Sequence, residues 1–208
     1  ERLSGIASFI GLNILLLFFI ITFNYEQFVE LPKATANQLA EETHERVGAV
    51  IGSIVMAIVV IMFYFKGSFN FDKKAKFLKI LAQIWVFLNA ILVISAMLKN
   101  TEYVYYLGLT YKRLGVYAFL SLAIIGLIFT FIKVSKQKTN AYLFNQMFWY
   151  VYGTILVCSF INWGGIITSH NLKREDFAAN YHFNSVDFND KQLLEYYQKT
   201  NNKEMYKI

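Results

Sequence analysis

The sequence predicts an all-α integral membrane protein: five transmembrane helices, a short interfacial helix before the second span, and a polar, partly helical C-terminal tail. Three observations carry this. The 208 residues are 56% hydrophobic and only 16% charged, where soluble domains carry about 25% charged residues. Five runs, residues 4–23, 47–65, 80–98, 114–134 and 142–163, each supply the roughly 20 mostly apolar residues that a helix needs to cross hydrocarbon. None has a charge in its middle. The expected division is a membrane domain over residues 1–163 and a tail over residues 164–208.

The first run is too long for a signal peptide, ends in aromatics and lacks a small-residue cleavage site. Because the chain opens at Glu1 and ends at Ile208 inside a polar segment, we expect a fragment or trimmed product. The first loop, residues 24–46, contains the sole proline, Pro32, which suits a first helical turn. The Ala-, Gln- and Glu-rich residues 34–46 that follow predict a helix running towards the second span, with Glu42 and Arg46 paired at i,i+4.

That helix carries the chemically richest pattern, AEETHERVG at residues 40–48. Glu41, His44 and Glu45 fall at i, i+3 and i+4, so one face would hold two carboxylates and an imidazole. Glu-x-x-His on a helix serves di-iron carboxylate bundles, which repeat it on a second helix with further carboxylates. Here it occurs once, no span offers partner carboxylates, and H-E-x-x-H is absent. His170 and His182 share its side of the membrane. We read a hydrated helix face, with a metal site at Glu41, His44 and Glu45 as the alternative and no cofactor expected.

The second span opens GAVIGSIVMA. Gly48 and Gly52 form G-x-x-x-G beside a ridge of Ala49, Ser53 and Ala57, a pattern that lets two helix backbones approach closely in lipid. The loop at residues 66–79 holds the densest lysines, Lys73, Lys74, Lys76 and Lys79. The positive-inside rule then places it and the N-terminus in the cytoplasm, and the first loop, residues 103–115 and the tail outside. A net charge of +6 is read as charge flanking the spans; nucleic acid is not an expected partner. Cys158 is the only cysteine, so an intrachain disulfide is excluded.

Polar residues within the runs are neutral: Asn13, Gln83, Asn89, Asn145, Gln146, Thr154 and Asn162. Interhelical hydrogen bonding accounts for them. Ion- or proton-coupled carriers keep ionisable groups at depth, which ranks a carrier or channel component third among the readings. Between the third and fourth spans lies YVYYLGLTYKRLG, residues 103–115. Its tyrosines suit an interfacial belt and Lys112 and Arg113 an anchor at lipid phosphates. Gly108 permits a turn and Thr110 caps the next helix. In the tail, Asn189 with Gln192 has capping-box spacing, ahead of an apolar face at Leu193, Leu194 and Tyr197.

The order of residues in ISAMLKNTEYVYYLGLTYKRLGVY, residues 94–117, resembles the signature region of a bacterial family of multi-pass membrane proteins known only as a domain of unknown function. Ser95, Ala96, Tyr103, Gly108, Leu109, Thr110 and Arg113 fit its pattern; Leu107 stands where tyrosine is expected. Glu41, Glu42, His44 and Gly48 match an acidic stretch and glycine that open a span. Asn162 and Asn171 match two asparagines after the last span, with Trp163 where proline is common. The resemblance implies the C-terminal half of a longer bacterial membrane protein and no reaction.

Span counting puts residues 41–48, 103–113 and 162–171 on one membrane side, so we expect them to converge on one surface site comprising Glu41, His44, Glu45, Tyr103, Thr110, Lys112, Arg113, Asn162 and Asn171. The leading functional expectation is a non-enzymatic scaffold or accessory subunit of a larger inner-membrane complex. The second is an interfacial enzyme or lipid-binding protein. There Lys112 and Arg113 would hold an anionic headgroup, and His44 with Glu41 or Glu45 would supply acid–base or metal chemistry.

Overall fold

The structure, a computed structural model, describes residues 2–29 and 36–200, with side chains except at residues 26–29, 36–46, 68, 69, 73 and 200. Among the described residues the fold is helical throughout. Four helices are long and apolar enough to cross a membrane: α1 (Arg2–Val29), α2 (Ala36–Tyr64), α4 (Lys76–Leu107) and α5 (Tyr111–Ser135). Helices α6 (Asn140–Ser159) and α7 (Trp163–Asn171) meet at a 68° bend and reach the length and apolarity of a fifth crossing only when taken together. The short α3 (Ser68–Phe71) and a 3₁₀ turn at Lys73–Ala75 lead into α4; α8 (Ala179–Asn184) and α9 (Asp190–Thr200) follow α7.

Helix α4 is central and packs against α1, α2 and α5, while α6 packs on α5. The reason lies in its spacing. Leu78, Ala82, Trp85, Asn89, Leu92 and Ala96 recur at three- and four-residue intervals and are buried, the stripe of one helix face. Phe9, Val50, Ile54, Ala57, Ile61, Leu120 and Leu127 close around it. The opposite faces present Leu15, Phe18, Phe63, Phe87, Phe144 and Phe148 outward, as lipid-facing helices do.

Two of the neutral polar residues join spanning helices. Asn13 Nδ2 on α1 donates to Leu81 O of α4 at 3.0 Å, and Gln83 Nε2 on α4 donates to Ser135 Oγ of α5 at 2.8 Å. Such bonds contribute about 0.5–2 kcal/mol each. Asn89 and Thr154 instead donate to their own helices, at Trp85 O and Tyr150 O.

Helix boundaries differ from the hydropathy runs in three places. The helix expected before the second span is continuous with it as α2. The third run fades at Leu98, yet α4 continues through Lys99 and Glu102 to Leu107; a helix stops where its backbone is forced to turn, not where it leaves hydrocarbon. The fifth run breaks after Ser159, and Asn162, expected within a span, starts a new helix.

At the lysine-rich end, distant side chains hold the last turn of α2. Lys133 Nζ, fully buried, donates to Phe65 O at 3.1 Å, and Asn140 Nδ2 donates to Met62 O at 3.2 Å. The small-residue ridge of α2 is divided. Ala57 is buried in the core and Ser53 half-buried, whereas Gly48, Ala49 and Gly52 are exposed, with nothing among the described residues within 4 Å of where a Cβ on either glycine would lie.

Candidate functional site

Helix α4 ends in a joint built from three segments. Gly108 sits at φ 79°, ψ 172°, a left-handed conformation open to glycine and strained for other residues. A Cβ there would also come within 2.8 Å of Asn171 Oδ1. The final carbonyls of a helix have no partners within it, and here each receives one. Gly108 N donates to Val104 O at 2.8 Å. The Arg174 guanidinium donates to Tyr105 O, and through Nη2 to Tyr106 O at 2.8 Å. Arg113 Nη1 donates to Leu107 O at 2.7 Å and also to Gly108 O. Both arginines place positive charge at the negative end of the helix dipole.

Arg113 is fixed from several sides. Its guanidinium lies 4.0 Å from the centroid of the buried Tyr103 ring, a cation–π distance. Its N–H donates to Thr110 Oγ1 at 3.4 Å, and its carbonyl accepts from Asn100 Nδ2 at 3.1 Å. Thr110, extended at φ −138°, thereby caps α5, as expected. Lys112 on the same turn is exposed.

The last residue of α7, Asn171, closes the joint. Its Oδ1 accepts from Leu109 N at 2.7 Å, and its Nδ2 donates to Leu109 O at 2.8 Å. Those two backbone groups fix which end of the amide is nitrogen. Asn171 Nδ2 therefore also donates to His182 Nε2 at 3.0 Å. With Nε2 accepting, Nδ1 carries the proton and donates to Thr168 Oγ1 at 2.9 Å. Asn189 Nδ2 completes the network, reaching Thr168 Oγ1 at 2.9 Å and His182 O at 2.8 Å. His182 is 1% exposed and stacked on Phe177 at 4.8 Å. Burial pushes its pKa below the usual imidazole value. Around this network Val104, Leu109, Ile167 and Val186 form a second small core, which seats α7–α9 on the α4–α5 turn.

The other end of α7 is fixed by Asn162. Its Oδ1 accepts from Gly165 N at 2.9 Å, and its Nδ2 donates to Phe188 O at 2.9 Å. Gly164 is pressed so closely under the Asp187 carbonyl that a Cβ would lie 1.7 Å from its oxygen. Asn189 does not make the expected reciprocal cap with Gln192; its amide nitrogen turns inward, and Gln192 Oε1 is buried without a partner.

Of the residues expected to converge, Tyr103, Thr110, Arg113 and Asn171 meet at this joint. Asn162 stands at the opposite end of α7, and Lys112 faces outward. The side chains of Glu41, His44 and Glu45 lie outside the described residues. Among the described residues no three His, Cys, Asp or Glu side chains gather closely enough to hold a metal ion. Sequence reasoning missed Arg174, Thr168 and the inward roles of His182 and Asn189. Each acts across more than the span of one helix, and no local pattern announces it.

The apolar spans and the helical segment seated at their ends define a multi-pass membrane protein. The chain belongs to the DUF4153 family, a domain of unknown function that matches residues 1–193, a stretch that includes α7, α8 and the whole joint. No curated protein and no solved structure matches the chain.

Proposed function

We propose that this chain is a non-enzymatic scaffold or accessory subunit of a larger complex in the bacterial cytoplasmic membrane, with its N-terminus inside and α7–α9 outside. The observation that carries the reading is the open backbone of α2 at Gly48 and Gly52, exposed and, among the described residues, with nothing within 4 Å of either Cβ position. In lipid, where helix association depends on close packing, such a surface suits a neighbouring helix. The lysines of residues 66–79 support the orientation. An interfacial phosphate site would need Arg113 available, and its guanidinium is bonded to Leu107 O and Gly108 O.

The test is native mass spectrometry after extraction in a mild detergent. The wild-type chain is expected in an assembly larger than one copy of itself, and Gly52→Leu is expected to release it. A wild-type chain recovered alone and monomeric overturns the proposal.

A further inference from the structure

Residues 186–189 are clamped on every side and yet present one aromatic ring outward. Val186 is buried in the second core. Asp187 O rests on Gly164 and accepts from the Tyr111 hydroxyl at 3.5 Å. Phe188 O is held by Asn162, and Asn189 is buried with both amide donors engaged. Between them Phe188 stands at φ 59°, a left-handed conformation uncommon for non-glycine residues and least expected of a bulky side chain. Its side chain is 82% exposed among the described residues. Glycine would make this turn without strain and without an exposed ring, so the turn alone does not call for phenylalanine.

The height of that ring follows from its neighbours. Tyr111 is the first residue of α5, and Asn162 caps α7 three residues after the end of α6, with Gly164 in the first turn of α7. The loop thus touches the first turn of α5 and the break between α6 and α7. Phe160, at the C-cap of α6, is 83% exposed and two residues from Asn162. Apolar rings on a polar, membrane-flanking segment enter the boundary between headgroups and acyl chains.

We propose that Phe188 is an interfacial anchor that inserts into the surrounding leaflet and pins α7–α9 to the lipid surface. The ligand is the headgroup–acyl boundary of the bilayer that holds the spans. The anchor is independent of any partner on α2.

The experiment uses the full chain with Cys158→Ala in phosphatidylcholine–phosphatidylglycerol vesicles. A nitroxide is attached at Phe188→Cys, with Phe148→Cys on the exposed face of α6 as lipid reference and Glu175→Cys as aqueous reference. Collision rates are measured with oxygen, which partitions into lipid, and with a water-soluble nickel chelate. The oxygen-to-nickel ratio at 188 is expected to lie several-fold above that at 175 and below that at 148. A ratio equal to that at 175, or shielding from both reagents as by a covering protein, overturns the proposal. A second variant, Phe188→Gly, keeps the turn and removes the ring. It is expected to melt in detergent no lower than wild type, while α7–α9 in vesicles is cleaved several-fold faster by protease. Unchanged cleavage also overturns the proposal.

Discussion

Asn171 holds Leu109 as a neighbouring strand would, accepting from its N–H at 2.7 Å and donating to its carbonyl at 2.8 Å. The two residues are 62 positions apart, and their pairing fastens the segment after the last span to the turn between α4 and α5. We predict that Asn171→Ala destabilises this joint by about 2–4 kcal/mol, since it leaves buried backbone groups without partners. Hydrogen exchange in detergent micelles checks this: the Leu109 amide should lose protection while amides at the centre of α4 keep theirs. Equal loss at both places contradicts a local role.

Gly108 is constrained by conformation and by space. At φ 79°, ψ 172° the backbone lies in a region essentially confined to glycine, so Gly108→Asn and Gly108→Ala are both strained, and both add a Cβ 2.8 Å from Asn171 Oδ1. We expect both to lower the melting temperature, by an amount corresponding to about 1–3 kcal/mol. If either variant melts like wild type, neither the backbone conformation nor the close approach to Asn171 requires the glycine.

Arg113 acts through the planar fork of its guanidinium. Lysine keeps the charge but cannot serve both carbonyls and stack on Tyr103 in the same way. Arg113→Lys is expected to lose about 1–2 kcal/mol, measured by thermal unfolding in detergent, and Arg113→Ala more. Full rescue by lysine would show that charge near the end of α4 suffices.

His182 predicts a dependence on pH. Burial holds its folded pKa below the unfolded value, which is about 6.5. The unfolded chain therefore binds the proton more readily, and stability falls as pH drops from about 6.5 towards the lower folded pKa. Protonation also gives Nε2 a hydrogen that faces the Asn171 amide donor. Melting measured between pH 8 and pH 4.5 should show this decline, and His182→Gln should flatten it. An identical slope in the variant removes His182 as its cause.

What the sequence made legible follows the range of each interaction. Gly108 and Thr110 were readable because a left-handed turn and an N-cap involve only adjacent residues. The spans were readable because composition alone sets their transfer into lipid. Arg113 was visible as a charge at a span end, but the carbonyls it binds belong to the preceding helix, so an anchor to lipid phosphate was the natural reading. His182 sat in a segment of polar composition and gave no sign of burial, which depends on α7 folding back over Leu109. The apolar run 80–98 stops short of the end of α4 because hydropathy ends at Leu98, whereas helix continuation through residues 99–107 depends on backbone bonding.

That continuation has a mechanical consequence. The nine residues of α4 beyond Leu98 make a rigid stem roughly 13 Å long, with the joint at its tip. Membrane helices tilt by about 20° on average, and by more where the bilayer is thin. A tilt of that size sets the tip of the stem roughly 4–5 Å to the side of its base. Any change in the tilt of α4 therefore moves the turn on which α7–α9 rest.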